Sequence, residues 1–233
     1  MTELNSLAVI PARGGSKRIP KKNIRPFMGK PIIAYSIEMA KRSGCFDSIM
    51  VSTDDQSIAD VSNEYGAEVP FLRSPQTADD YAPLADVIDE VIASYFQQEI
   101  HIRYICCILA TAPLIVDSDL QKSFELLKNH NAESVVSVVR FSYPIQRAFK
   151  ISKGLLQLIS PEHLNSRSND LEPSFHDAAQ FYWIDVEKFQ KNKKIFSDYT
   201  IPYELSETQV QDIDTETDWK MAEYKYSFLI NKP

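Results

Sequence analysis

Positive side chains crowd a short stretch near the amino terminus, although the chain as a whole carries a formal net charge of -7. They follow an apolar run at residues 7–11 and are Arg13, Lys17, Arg18, Lys21, Lys22, Arg25 and Lys30. Such a local concentration of positive charge predicts a binding site for an anion. Gly14 and Gly15 would let the backbone bend close to the ligand and present its N–H groups to it. A polyphosphate fits this stretch best.

The stretch is not one of the two best-known phosphate-binding loops. Neither the G-x-x-x-x-G-K-[ST] pattern nor the G-x-G-x-x-G pattern occurs in it. Its side chains nevertheless suit phosphate, because Arg13 can donate to two oxygens at once while Lys17 and Lys22 act as compact point charges. Ser16 could add a hydroxyl group. We therefore expect phosphate binding through a loop of another kind.

A second group that could do chemistry is a pair of carboxylates near the carboxyl terminus. Asp212 and Asp214 flank Ile213, and in an extended backbone the two acids would share one face while Ile213 turns to the other. Mg²⁺ typically takes one or two protein carboxylates and completes its coordination with waters and substrate phosphates. The pair therefore fits a magnesium site, and the alternative is that Asp214 and Thr215 only cap the last helix.

Polar residues also precede an aromatic strand in the last third of the chain. Residues 167–171 and 176–183 combine arginine, asparagine, histidine and glutamine with aromatic side chains. The polar groups could hold a polyhydroxylated acceptor, whereas the aromatic side chains fit the core better than a sugar-stacking surface. His176 and Asp177 are adjacent in sequence and do not face one another, so we do not expect them to form a catalytic dyad.

An alternation of strands and helices must position these groups. Strands are predicted at residues 7–11, 48–53, 68–72, 104–110, 134–139, 180–186 and 201–205. Helices are predicted at residues 31–43, 58–65, 83–97, 117–129 and 186–190, and a capping-box pattern at 215–218 precedes a helix through Met221, Tyr224 and Phe228. The predicted class is α/β, a three-layer, doubly wound and mainly parallel sheet with residues 104–110 in its middle.

The expected site lies at one edge of this sheet. In an open α/β sheet, ligands bind beyond the carboxyl ends of the strands. The basic stretch, residues 52–54, residues 110–113 and the loop at 73–81 all follow predicted strands, so they should ring one cleft. Thr53 and Asp54 have a simpler alternative role, which is to cap the helix that follows them.

Residues 141–177 interrupt the alternation. Prolines, aromatic residues and short alternating pieces at 148–151 and 155–159 leave no room for a long helix. We interpret this segment as an arm that serves dimerisation or the acceptor site, and the alternative is a long insertion loop. Apart from the arm, residues 1–233 are expected to form a single domain.

Composition argues against several other classes of protein. The negative net charge argues against general nucleic-acid binding. The longest apolar run, residues 104–116, is shorter than the roughly 20 residues of a membrane helix. Three cysteines and four histidines show neither a disulfide framework nor a zinc motif. The first residues are polar and lack the pattern of a secretion signal, so we expect a cytoplasmic protein.

Taken together, these motifs resemble the acylneuraminate cytidylyltransferases, the sugar nucleotidyltransferases that activate acidic sugars with CTP. The resemblance rests on segments 52–54, 110–114 and 212–215 and on Arg13, Ser16, Lys17, Lys22 and Asn23. Segments 143–148, 167–171 and 180–183 are closer to the branch of the family that uses pseudaminic acid. Asn169 and Ala179 depart from that branch, in which glutamine and glycine are usual at these positions.

The resemblance implies a reaction and its partners. It implies transfer of CMP from CTP to the anomeric hydroxyl of pseudaminic acid, an acidic nine-carbon sugar, with release of pyrophosphate. The enzyme would use Mg²⁺ and would be a homodimer. N-acetylneuraminic and legionaminic acid remain open as acceptors, and so does a non-catalytic nucleotide-binding module.

The resemblance also implies a role for each candidate residue. The CTP-binding set is Arg13, Gly14, Gly15, Ser16, Lys17, Lys22, Asn23 and Arg73. The three residues expected to stabilise charge on the reacting phosphates, and so to act in catalysis, are Arg13, Lys17 and Lys22. Mg²⁺ would be held by Asp212 and Asp214. The acceptor sugar is assigned to Arg147, Arg167, Asn169 and Gln180, and the two arginines could serve the site of a partner subunit instead.

Overall fold

A six-stranded sheet with helices packed on both of its faces forms the centre of the fold. This computed structural model describes residues 2–230. The strands are β1 (Thr2–Pro11), β2 (Pro26–Phe27), β3 (Lys30–Pro31), β4 (Ser48–Ser52), β5 (Ile100–Ile108), β6 (Ser134–Arg140), β7 (Phe149–Ser152), β8 (Leu155–Leu158), β9 (Phe175–Asp185) and β10 (Thr200–Leu205). The α-helices are α1 (Ile32–Ser43), α2 (Gln56–Glu64), α3 (Pro75–Ala78), α4 (Leu84–Gln97), α5 (Asp117–Asn129), α6 (Val186–Asn192) and α7 (Glu216–Ile230).

The order of strands in the sheet confirms the predicted α/β class. The order is β10-β6-β9-β5-β1-β4, with the apolar strand β5 in the middle as predicted. β9 runs antiparallel to both of its neighbours, while the other pairs are parallel. The predicted strand at residues 68–72 is wrong, because only Glu68 forms a bridge, to Met50. Pro70 lacks an N–H group and cannot continue the ladder of hydrogen bonds.

Alternate residues of β1 supply two cores, one on each face of the sheet. Ala8 and Ile10 pack in the core that contains α1 and α5, whereas Leu7 and Val9 pack in the core that contains α4 and α6. All four side chains are fully buried. The basic stretch therefore leaves the sheet from a strand that is held on both faces.

A third, smaller core joins the basic stretch to the last helix. Its buried members, which we call the loop core, are Ile19, Phe27, Ile32, Tyr35, Ile213, Trp219 and Ala222. Trp219 packs edge-on against Phe27, with ring centroids 5.6 Å apart. Arg25 lies over the Trp219 ring, 4.5 Å from its centroid, and donates two hydrogen bonds to the Glu216 carboxylate. The loop core thus ties residues near the two ends of the chain to one another.

The arm at residues 141–177 contains no long helix, as predicted, and includes a two-stranded hairpin of β7 and β8. Lys153 and Gly154 make its turn with φ angles of 52° and 77°. Positive φ angles at both turn residues are typical of two-residue hairpin loops, because the twist of such a turn matches the twist of the two strands. Cross-strand pairing places four apolar side chains on one face, which we call the hairpin face: Phe149, Ile151, Leu156 and Leu158. Three of them are exposed, Ile151 at 78%.

The last helix begins with the predicted capping box. The Thr215 hydroxyl accepts from the Asp218 amide at 3.3 Å, and the Asp218 carboxylate accepts from the Thr215 amide at 2.8 Å. The helix buries Trp219 in the loop core and turns outward the three residues through which we predicted it to pass, Met221, Tyr224 and Phe228. Within residues 2–230, neither this helix nor any other is long and apolar enough to cross a membrane.

Candidate active site

The basic stretch and Asp214 of the carboxyl-terminal acidic segment meet in one cleft of about 290 Å³, whereas Asp212, the other predicted metal ligand, borders a separate depression beside Asp177 and Lys225. The cleft lies where β1 and β5 end, at the edge of the sheet where we expected it, and Leu109, Ala110 and Thr111 form part of its wall. Seven of the predicted site residues line it: Arg13, Ser16, Lys17, Lys22, Asn23, Arg73 and Asp214. The geometry thus offers a polar cleft with several cations on one side and a carboxylate on the other.

Lys22 and Arg18 connect the two sides of the cleft. The Lys22 ammonium donates to the Ile213 carbonyl at 2.6 Å and lies 3.6 Å from the Asp214 carboxylate. The Arg18 guanidinium donates to the same carboxylate at 2.7 Å. These contacts place Asp214 at the edge of the cationic group, so an anion bound there would sit close to a carboxylate that could share a metal ion with it.

Arg13 and Lys17 pair with Asp80, which lies in the loop between α3 and α4. One oxygen of the Asp80 carboxylate accepts from Arg13 Nη1 and the other accepts from Lys17 Nζ. These two ion pairs hold the pKa of Asp80 below its usual range, with the hydrogen bond from Lys17 as the largest cause and that from Arg13 as the second. The carboxylate therefore stays charged, and it offsets part of the positive charge of Arg13 and Lys17.

Gly14 has a different role from the one that the sequence suggested. Its amide donates to the Asp54 carboxylate at 2.9 Å, so this N–H group is already engaged. A Cβ atom on Gly14 would lie 2.7 Å from the carboxylate of Asp55, whereas one on Gly15 would meet nothing within 4 Å. Glycine at position 14 is thus required by the close approach of Asp55. The alternative reading of Thr53 and Asp54 as caps is also wrong, because Asp55 is the residue that caps α2.

Arg73 is a buried cation that reaches the cleft. Its side chain is held by Ser52, with Nε donating to the hydroxyl at 3.0 Å and Nη2 to the carbonyl at 2.6 Å. Burial is the main cause that lowers its pKa, partly offset by the charge of Asp54. Asn23 is buried too, and its amide donates to the Arg13 carbonyl at 3.0 Å, which shapes the basic stretch from within. Because Ser52 engages Arg73 through Nε and Nη2, the guanidinium is fixed at the wall of the cleft, where Nη1 lies 3.5 Å from the Thr77 carbonyl.

The acidic segment has the alternation that the sequence predicts. Ile213 is fully buried in the loop core, while Asp212 and Asp214 lie outside it. Desolvation by the surrounding protein, and next the charge of Asp214, raise the pKa of Asp212. The helix is capped by Thr215 and Asp218 rather than by the Asp214 side chain. The Asp214 carboxylate is paired with Arg18, whereas the Asp212 side chain is exposed. A cation bound to both carboxylates would relieve the repulsion between them.

Two carboxylates are enough protein ligands for Mg²⁺, but too few for a metal ion that only protein side chains coordinate. Within the described residues, no three His, Cys, Asp or Glu side chains converge as a metal site. Mg²⁺ needs only one or two protein carboxylates when phosphates and waters complete its octahedron. The residues present therefore fit a metal that binds together with a polyphosphate.

The four residues predicted to hold the acceptor do not line this cleft. Arg147 and Arg167 lie exposed on the arm, where Arg147 donates to the Ser168 hydroxyl at 3.3 Å. Asn169 borders a separate depression between the arm and β10. Gln180 is buried at the start of the core part of β9, and its amide donates to the carbonyls of residues 178 and 179. Within one chain, three of these residues therefore lie on the arm and Gln180 lies in the sheet, and none of the four reaches the cleft.

His176 and Asp177 form no dyad, in agreement with the sequence. His176 Nδ1 lies 2.9 Å from the backbone carbonyl of Asp177, and the Asp177 carboxylate accepts from the Tyr182 hydroxyl at 2.8 Å. Burial of Tyr182, and next the charge of Asp177, raise the pKa of this hydroxyl. These contacts lie within β9, next to the irregularity in its pairing with β6 and the positive φ angle of Ala179.

Three polar residues lie in segments that the sequence analysis placed at the cleft but were not assigned to the site: Arg18, Asp54 and Asp80. Arg18 belongs to the basic stretch, but nothing in its spacing separated it from the other cations. The two aspartates belong to acidic pairs, 54–55 and 79–80, that follow a strand and a helical turn. Both acidic pairs lie in loops at the edge of the sheet where the basic stretch also lies. This position is the signal that could have identified the aspartates as partners of the basic side chains.

Comparison with known proteins decides the family. A profile of the family described as "Cytidylyltransferase" matches residues 7–231. This chain belongs to the cytidylyltransferase family. It is 39% identical over 224 residues to a pseudaminic acid cytidylyltransferase of Campylobacter jejuni, an alignment that covers 96% of this chain and 97% of the relative. The sequence-based assignment to the family is therefore confirmed.

Two further likenesses concern the substrate class and the fold. The chain is 35% identical over 225 residues to a CMP-N,N'-diacetyllegionaminic acid synthase of Legionella pneumophila, covering 93% of this chain and 94% of the relative. The solved structure of a CMP:2-keto-3-deoxy-manno-octonic acid synthetase complexed with CTP superposes with a TM-score of 0.70 at 14% identity, covering 97% of this chain and 99% of that one. At this identity the superposition supports the α/β fold alone.

Proposed function

We propose that the protein transfers CMP from CTP to the anomeric hydroxyl of pseudaminic acid and releases pyrophosphate. The observation that carries this proposal is the cleft in which the cations of the basic stretch face Asp214. The similarity to a pseudaminic acid cytidylyltransferase over almost the whole chain supports the choice of acceptor. The reaction would take place in the cytoplasm, where nucleoside triphosphates are available.

The chain's contribution to the chemistry would be mainly electrostatic. The acceptor hydroxyl attacks the α-phosphorus of CTP in line while the bond to pyrophosphate breaks, so negative charge must be stabilised on phosphoryl oxygens. We assign this role to Arg13, Lys17 and Lys22, whose charges converge on the cleft. Arg13 would bind two oxygens, and Arg73 and Asn23 would contact the nucleotide from the buried side of the cleft.

We assign magnesium to Asp212 and Asp214. When bound, the ion would neutralise phosphate charge and make it easier for a coordinated hydroxyl to ionise. The loop core would fix the two carboxylates by burying Ile213 between them. Lys22 would hold the same segment from the other side through the Ile213 carbonyl.

The acceptor site and the assembly form one further part of the proposal. The hairpin face leaves apolar side chains exposed, and a second copy of the chain would cover them in a homodimer. In that assembly, Arg147 and Arg167 would pair with the carboxylate of the sugar acid in the site of the partner subunit. This explains why neither arginine lines the cleft of its own chain.

Pyrophosphate release from CTP tests the proposed function. Lys17→Ala and Asp212→Ala should each lower turnover with pseudaminic acid by about 100-fold or more, the size typical for loss of one electrostatic group. Lys194→Ala and Asp198→Ala make the same changes at exposed positions far from the cleft and should remain fully active. Full activity of both cleft variants would contradict the site assignment.

The alternatives are tested by the choice of acceptor. The likeness to a legionaminic acid synthase makes legionaminic acid the strongest competing substrate. We expect kcat/KM for pseudaminic acid to exceed that for legionaminic and N-acetylneuraminic acid by at least tenfold. A preference for either of the others would correct the substrate, and CTP binding without turnover on any of the three would favour a non-catalytic module.

A further inference from the structure

The strongest unexplained feature of the cleft is the position of Asp80. Its two carboxylate oxygens accept one from Arg13 and one from Lys17. About a third of the side chain remains exposed, so it lies at the mouth of the cleft rather than in the core. The two cations that we assign to phosphate are thus already bound to an anion that belongs to the chain itself.

The loop that carries Asp80 is anchored at its two ends and open in the middle. On one side, Arg73 is held by Ser52 and the Thr77 hydroxyl donates to the carboxylate of Glu90 on α4. On the other side α4 begins at Leu84. Between them, Tyr81 is 92% exposed. The tip of the loop, residues 79–83, is thus part of neither core of the sheet.

A carboxylate and a phosphate compete for the same donors. A carboxylate carries two anionic oxygens in a plane and a phosphate carries its oxygens on a tetrahedron, but a pair of oxygens of either group can accept from a guanidinium or an ammonium. Each of the two cations gives Asp80 one hydrogen bond, and a bound triphosphate would bring further negative charge beside this carboxylate. Repulsion between the two anions favours separation of Asp80 from Arg13 and Lys17 when the nucleotide binds, and departure of pyrophosphate lets the ion pairs form again.

We propose that Asp80 is an internal competitor for the triphosphate subsite, which holds Arg13 and Lys17 in place when the cleft is empty and exchanges with phosphate during each turnover. Asp80 is thus a positioning residue that keeps the two cations together. The competition also weakens the hold of the enzyme on pyrophosphate and so favours its release. This inference rests on the proposed function for the identity of the anion.

Isothermal titration with inorganic pyrophosphate and with CTP tests the exchange. Asp80→Asn removes the competing charge and keeps the shape of the side chain, so the dissociation constant for pyrophosphate should fall by about threefold to tenfold, the range for two partly exposed ion pairs. If release of pyrophosphate limits turnover, Asp80→Asn should lower both kcat and the KM for CTP. Asp80→Glu, which keeps the charge, should bind pyrophosphate within about twofold of the wild type.

The matched control is the neighbouring acid, Asp79. Its carboxylate accepts from the Tyr81 amide at 2.8 Å and pairs with neither cation. Asp79→Asn removes the same charge one residue away, so it should change the affinity for pyrophosphate by less than about twofold. A general effect of net charge would change the affinity of both variants for pyrophosphate equally. Equally tighter binding of pyrophosphate by the two variants would therefore overturn the proposed exchange.

The possible failures are distinguishable. If the wild type binds pyrophosphate and CTP but Asp80→Asn binds them equally well or more weakly, the inference is wrong and the proposed function stands. Weaker binding would mean that Asp80 helps to hold the ligand or its metal. If the wild type binds neither ligand, the proposed function is wrong and the exchange falls with it.

Discussion

Replacing Ile213 by alanine should affect both the stability of the fold and the metal dependence of the reaction. Ile213 is fully buried in the loop core, between Asp212 and Asp214. The change removes three carbon atoms, which at about 0.8 kcal/mol each gives a transfer loss of about 2.4 kcal/mol. The cavity that remains adds to this loss, so we expect a total of about 2.5–4 kcal/mol.

The same change should loosen the position of the two carboxylates. The segment is held by the Ile213 side chain on one side and by the Lys22 contact to the Ile213 carbonyl on the other. Losing the first anchor should raise the Mg²⁺ concentration for half-maximal pyrophosphate release by about tenfold, the loss typical for groups that orient metal ligands. Urea unfolding measures the stability, and a magnesium titration of activity measures the second effect.

Ile184→Ala is the matched control. Ile184 is also fully buried, but it lies at the far end of β9, opposite residues 105 and 134 and away from the cleft. It should lose a similar amount of stability with an unchanged magnesium requirement. If Ile213→Ala left the magnesium requirement unchanged, or if Ile184→Ala raised it equally, the loop core would have no special part in holding the acidic segment.

Three other predictions follow from single contacts. Thr215→Ala removes the capping box of α7 and should lower the free energy of unfolding by about 1 kcal/mol in urea, whereas Thr215→Ser should keep it. The Asp55 cap has a lowered pKa, chiefly through the Ser57 hydroxyl, so the stability it adds is present above the ordinary carboxyl pKa of about 4 and is lost as pH falls through the lower folded value. The stability difference between the wild type and Asp55→Asn should therefore shrink between pH 5 and about pH 2 in urea titrations; a constant difference would refute this. Ile151→Glu places a charge on the hairpin face and should make the proposed homodimer monomeric in sedimentation, while Gln157→Glu on the opposite face should not; two dimeric variants would exclude this face as the interface.

Much of the fold was predictable because burial leaves a periodic pattern. α5 was predicted with its observed bounds, 117–129, since Leu120, Phe124 and Leu127 mark one buried face. The position of β5 in the middle of the sheet followed from its continuous apolar run. The direction of β9 did not follow, because a strand buried on both faces has the same pattern whichever way it runs. The strand predicted at 68–72 failed because Pro70 has no N–H group to donate, so the pairing with β4 does not extend beyond Glu68.

The candidate site was predictable in its parts but not in its internal pairings. The basic stretch and the acidic segment were recognised from residue type and spacing, and the position of the cleft beyond β1 followed from the rule about strand ends. That rule did not place Asp214 beside the basic stretch, because the acidic segment does not directly follow a strand. The contacts of Gly14 with Asp54 and Asp55, and those of Asp80, join residues at least 40 positions apart. Sequence periodicity carries no information about such distant pairs, so only the structure reveals them.

The most direct test of the central claim is a crystal structure of the enzyme with CTP and Mn²⁺ in place of Mg²⁺, in which the anomalous signal locates the metal. The account predicts a manganese peak coordinated by Asp212 and Asp214 and by phosphate oxygens, with the triphosphate bound to Arg13 and Lys17. A metal bound elsewhere, or a triphosphate that lies outside the cleft between the basic stretch and the acidic segment, would contradict it.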